Sequence, residues 1–133
     1  MQAAAAELLG EHDFTSFETT PSTRRSKVRT IHTANVFRHS GYDDAAEAEV
    51  WIEVIGNGFL YNMVRIITGS LVMVGSGKRK PEWIREVIAA RSRPVAGPTA
   101  PPQGLVLVSI ELGPGLSGNA GSSWAESPNN SVL

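Results

Sequence analysis

NGFLYNMVRIITGSLVMVGSGK, residues 57–78, is the stretch on which the fold turns. Gly56, Asn57 and Gly58 end a strand, and apolar residues then recur at helical spacing: Leu60, Met63, Val64, Ile67, Leu71 and Val74. Ile66, Val72 and Met73 make the stretch apolar nearly all round, which predicts a helix over residues 59–74 covered on most sides. Asn62 and Arg65 interrupt it, and it falls short of the roughly 18 clean apolar residues of a membrane span. It reads as a buried core helix. Gly75-Ser76-Gly77 ends it, and with Lys78 that triplet briefly resembles a phosphate loop. The full motif needs glycine at 72 and a hydroxyl at 79, where Val72 and Arg79 stand, and it should follow a strand. A helix C-terminal cap, with basic residues beside the negative helix end, is the better reading.

On the N-terminal side, residues 49–57 alternate as a strand does. Val50, Ile52 and Val54 point one way, and Trp51, Glu53 and Ile55 the other. Residues 28–39 hold enough β-branched side chains for a second strand, with Ile31, Val36 and Phe37 as packing candidates. A turn over residues 40–46, built on Gly41 and the Asp43-Asp44 pair, makes the two an antiparallel hairpin. Residues 2–9 read as a helix closed by Gly10, and residues 11–25 as a loop anchored by Phe14 and Phe17. On the C-terminal side, Pro81 opens a short amphipathic helix with Trp83, Ile84, Val87 and Ile88 inward. A proline-rich loop over residues 93–102 then leads through Gly104 to an apolar strand at residues 105–112.

The expected fold class is therefore α+β. An antiparallel sheet, the hairpin plus the C-terminal strand, carries helices on one face in a domain of residues 1–112. Residues 113–133, dominated by Gly, Ser, Asn and Pro, read as a disordered tail.

With 133 residues, 41% hydrophobic and 19% charged, the chain can build one small core. A formal net charge of -1 advertises no nucleic-acid partner, so such a claim must rest on local charge. The absence of cysteine excludes disulfides, thiolate metal sites and cysteine nucleophiles, and it fits the cytoplasm. The opening residues lack the basic start of a signal peptide. His12, His32 and His39 show no metal-ligand spacing, so no metal site and no cofactor are expected. Basic residues gather at Arg24, Arg25, Lys27 and Arg29, and again at Lys78, Arg79 and Lys80. The first cluster is the candidate for RNA contact; its plainer reading is a solvated face.

Arg65 is the most informative residue. On so apolar a helix it either snorkels to solvent along its aliphatic stem or reaches a carboxylate. The three aspartates, Asp13, Asp43 and Asp44, supply no obvious partner, so that carboxylate would lie outside the chain.

Four segments in order resemble the tRNA pseudouridine synthase A family: AAAELLGEHDFTSF (4–17), VRTI (28–31), NGFLYNMVRIITGSLVMVGSGK (57–78) and AGPTAPPQGLVLVSIEL (96–112). The resemblance implies an isomerase that detaches uracil from its ribose in the anticodon arm of tRNA, rotates it, and rejoins it through carbon. It implies no cofactor and no metal. The family's essential aspartate sits in an Arg-Thr-Asp-like motif, and no Arg-x-Asp occurs in this chain. A tyrosine that packs on the target base also belongs to the missing N-terminal lobe. The resemblance assigns Arg65 as the arginine that pairs with that aspartate, and Leu105 as the leucine lining the uracil pocket. Gly104 would let the backbone approach the site. It further implies a two-lobed fold with the cleft between the lobes, a homodimer, and tRNA spanning both subunits. The chain is expected to be the C-terminal lobe, inactive by itself. A non-catalytic RNA-binding or interaction module is the alternative, and the presence of Arg65 and Leu105 argues against it.

Overall fold

The computed structural model describes residues 1–19, 26–39 and 49–111. Three antiparallel strands, β1 (Gly10–Asp13), β2 (Val28–His39) and β3 (Glu49–Gly56), form one sheet in the order β1-β2-β3. Helices α1 (Gln2–Ala6), α2 (Met63–Gly75) and α3 (Trp83–Ala90) complete the regular structure. The class is α+β, as expected.

The β2–β3 pairing is the expected hairpin, with Phe37 opposite Trp51 and His39 opposite Glu49. Its register slips once, between Ile31 and Thr33, so His32 is an extra residue in the ladder. Ile31, Ala34 and Ile52 enter the core with Ala4, Leu8, Phe14 and Phe17. From above, α2 contributes Met63, Ile66, Ile67, Leu71 and Val74, and α3 contributes Trp83, Ile84 and Val87. Trp51 is also buried, but on the opposite face of the sheet, where the His39 ring stacks on it at 4.1 Å and Phe37 packs beside it.

Three expectations need correction. The third strand is Gly10–Asp13, where a helix cap at Gly10 and a loop from Glu11 are expected, and not residues 105–112. Gly-Glu-His-Asp carries no apolar alternation, so nothing in its side chains marks a strand. Backbone pairing with the first residues of β2, Gly10 to Ile31 and Asp13 to Val28, makes it one. Residues 105–111 join no strand ladder among the described residues, and Leu107 stays at 67% and Ile110 at 58% exposure. That is the apolar text of a strand meant to be flanked on both sides. Finally, α2 starts at Met63 rather than at residue 59, because Asn62 adopts a left-handed conformation (φ 61°) that a helix cannot continue through. The turn over residues 40–46 and the proposed tail, residues 113–133, both lie outside the described residues.

Beyond Ile31, the edge of β2 opposite β3 has no strand beside it among the described residues. The Gln2 side chain covers part of it instead: its amide donates to Ala34 O at 3.2 Å and accepts from Val36 N at 2.7 Å. At the other end of the core, Gly77 (φ 80°) closes α2, and the amides of Ser76, Gly77 and Lys78 satisfy the last carbonyls.

Candidate active-site groove

The left-handed turn at Asn62 sets up the candidate site. An asparagine tolerates this conformation better than most residues, and its side chain is fixed on both sides. Asn62 Nδ2 donates to Thr19 Oγ1 at 3.1 Å, and Asn62 Oδ1 accepts from Arg65 Nη1 at 3.1 Å. In the first turn of α2, Arg65 is half-buried, and its Nε donates to Ala100 O at 2.7 Å. Two neutral acceptors thus hold the guanidinium. Among the described residues Arg65 forms no ion pair, and its Nη2 has no hydrogen-bond partner.

Arg65 lines a groove of about 380 Å³ between the end of β3, the start of α2 and the segment 105–109. Its walls are mostly apolar: Ile55, Phe59, Met63 and Val64 on one side, Leu105 and Leu107 on the other. Leu105, some forty residues away in sequence, is therefore brought into the same groove as Arg65. Gly104 is not among the lining residues. It sits exposed in a 3-10 turn, and no described atom lies within 4 Å of where its Cβ would be, so no close approach among the described residues requires glycine there.

Close approaches occur instead at Gly69 and Gly97, which the sequence reading did not single out. A Cβ on Gly69 would overlap the carbonyl oxygen of Pro98, and one on Gly97 would stand 2.7 Å from Ser70 Cα. Residues 97–100 thus lie directly across α2 as a strap. Gly97 N donates to the buried Ser70 Oγ at 2.9 Å, and Ala100 N donates to the Arg65 carbonyl at 3.0 Å. The small-residue pair Gly69-Ser70 inside an apolar helix was the available signal.

The basic cluster is only partly visible. Arg24 and Arg25 lie outside the described residues. Lys27 pairs with the carboxylate of Glu18, which is 1% exposed, so its charge is neutralised within the fold. Arg29 is accessible and donates to the carbonyls of Ser26 and Val28. Glu53 and Asn62, also missed, line the groove with Arg65, but Glu53 makes no ion pair with it.

What the groove offers chemically is the tip of a permanent cation set in an apolar wall. Such a site favours an anion, and it would lower the pKa of a carboxylate placed there. Among the described residues no group of three or more His, Asp or Glu side chains could hold a metal ion. No described helix is long and apolar enough to cross a membrane.

The chain belongs to the tRNA pseudouridine synthase family, whose profile matches residues 4–111, and its α+β architecture agrees with one lobe of that fold. Over 110 residues it is 50% identical to the tRNA pseudouridine synthase A of Brevibacillus brevis, covering 83% of this chain and 42% of that protein. It is 47% identical over 106 residues to the protein of that name from Halalkalibacterium halodurans, covering 80% and 38%. For Vibrio cholerae serotype O1 the identity is 45% over 111 residues, covering 84% and 39%. The chain spans about two fifths of the length of these curated relatives.

Proposed function

We propose that this chain forms the C-terminal lobe of a tRNA pseudouridine synthase, and that its groove becomes an active site when a lobe bearing the nucleophilic aspartate docks against it. The observation that carries this reading is the guanidinium of Arg65. It is held by neutral acceptors, faces an apolar groove beside Leu105, and has no carboxylate partner among the described residues. A docked aspartate would receive that cation, which favours its charged, nucleophilic form and fixes its orientation. Leu105 would pack on the uracil while its bond to ribose is broken and re-formed through carbon. Neither cofactor nor metal enters this chemistry. The substrate is tRNA, met by Arg29 together with Arg24 and Arg25; Gly104, beside the groove, would be approached by the docked lobe or the RNA. A homodimer working in the cytoplasm completes the reading.

A chimera tests it. The matched segment of the Brevibacillus brevis relative is replaced by residues 4–111 of this chain, and tritium release from uracil-labelled tRNA is followed. Turnover that Arg65→Met abolishes supports the proposal. A folded chimera that binds tRNA but makes no pseudouridine would favour the non-catalytic RNA-binding alternative.

A further inference from the structure

Arg65 is aimed by Ala100 O, so whatever fixes the strap at residues 97–100 fixes the guanidinium. Ser70 and Gly69 seat the strap on α2 from below. From the other side a second arginine grips it. Arg93 Nη1 donates to Gly97 O at 2.9 Å, and Arg93 Nη2 donates to Thr99 Oγ1 at 3.1 Å. Its rigid planar fork bridges the two acceptors, a geometry a lysine could not reproduce. The base of Arg93 is anchored too. The preceding amide, Ser92 N, donates to Ser16 Oγ at 2.8 Å, and that hydroxyl, 0% exposed, donates in turn to Val87 O at 2.6 Å in α3. A continuous set of hydrogen bonds therefore runs from the core through Arg93 and the strap to Arg65. Arg93 itself is absent from the groove lining.

From this arrangement we infer that Arg93 is a positioning residue. By clasping Gly97 and Thr99 it holds the Ala100 carbonyl against Arg65 Nε, leaving the outer edge of the Arg65 guanidinium turned to the groove. The consequence for catalysis rests on the proposed pairing of Arg65 with an aspartate; the geometric statement does not. With the clasp removed, the strap loosens, Nε loses its acceptor for part of the time, and the guanidinium wanders. A carboxylate facing a wandering cation is less favoured in its charged form, so its pKa rises.

Two measurements test the inference. In the full 133-residue chain, exchange of the Arg65 Nε proton with solvent is followed by NMR for the parent and for Arg93→Ala. Exchange should accelerate by about tenfold, the factor expected when roughly one hydrogen bond of protection is lost. Unchanged exchange in a folded Arg93→Ala chain would overturn the inference. Should that variant not fold, Thr99→Val, which removes one acceptor with little change of shape, serves for the same comparison. The second measurement uses the chimera. There Arg93→Ala should move the acid limb of the kcat profile to higher pH while leaving KM for tRNA within about twofold. A fall in activity equal at every pH would mean that Arg93 supports the fold only, and would also overturn the inference. A parent chimera without turnover would defeat the functional proposal, and the exchange experiment would still decide the role of Arg93.

Discussion

Arg65 and Ala100 pair with each other at two points: the Ala100 amide donates to the Arg65 carbonyl at 3.0 Å, and Arg65 Nε donates to the Ala100 carbonyl at 2.7 Å. The side chain expected to be an uncompensated charge is thus part of the structure that surrounds it. Arg65→Met removes the two side-chain bonds, to Ala100 O and Asn62 Oδ1, and keeps the backbone bond to the Ala100 amide, but it also relieves a half-buried cation of its desolvation. The balance should be a loss of about 1–2 kcal/mol in this chain. Denaturant unfolding at constant m-value measures it, and a gain in stability would show that the desolvation outweighs both bonds.

Gly69→Ala should be more damaging, although it adds one methyl group. Its Cβ would meet the Pro98 carbonyl, which is backbone and cannot rotate away. The strap must lift, at an expected loss of about 2–3 kcal/mol. The same unfolding experiment reads it, and a loss below about 0.5 kcal/mol would mean that the strap is loose in solution.

Acid should weaken the fold in part through Asp13. The Thr15 hydroxyl, and after it the Thr15 amide and the charge of Arg91, hold the Asp13 carboxyl below its usual range, against the opposing effect of burial. A folded-state pKa below the unfolded value of about 3.9 stabilises the protein above that value, and the contribution is lost as pH falls through the folded pKa. Asp13→Asn should therefore be less stable than the parent by about 1 kcal/mol near neutrality, with the gap closing below about pH 4. Parallel stability curves for parent and variant would contradict this.

RNA contact should depend unequally on the two described members of the basic cluster. Arg29→Gln should lower the salt slope of tRNA binding by about one unit, as expected for a lost phosphate contact. Lys27→Gln should act mainly on stability, because it removes an ion pair made with the buried Glu18. Equal effects of both on the salt slope would mean that Lys27 leaves Glu18 to bind RNA.

The chain by itself should release no tritium from uracil-labelled tRNA. Its groove holds Arg65 and Leu105, and the family's aspartate motif is absent from the sequence. Turnover above a control without protein would point to a different nucleophile, with Glu53 the first to replace.

What could be read from the sequence, and what could not, divides along physical lines. The bounds of β2 at Val28–His39 and the burial of α2 followed from side-chain pattern, because apolar periodicity reports which face is covered. Strand β1 was hidden because its pairing is a property of the backbone, and Gly-Glu-His-Asp carries no side-chain trace of it. The start of α2 was misplaced because a left-handed asparagine looks in sequence like any other polar residue. At the groove, the family words singled out Arg65 and Leu105. The strap that holds Arg65 depends on two close approaches, at Gly69 and Gly97, between segments far apart in the chain; the small pair Gly69-Ser70 marks a crossing on α2, but no local pattern says which segment crosses.

The side chain of Gln2 mimics a strand residue. With one acceptor and one donor it stops the exposed rim of β2 at Ala34 and Val36 from offering its backbone to another molecule. Gln2→Ala would thus do more than alter a helix. It would uncover a template on which a second copy could pair, and the first sign would be turbidity rather than a lower melting temperature.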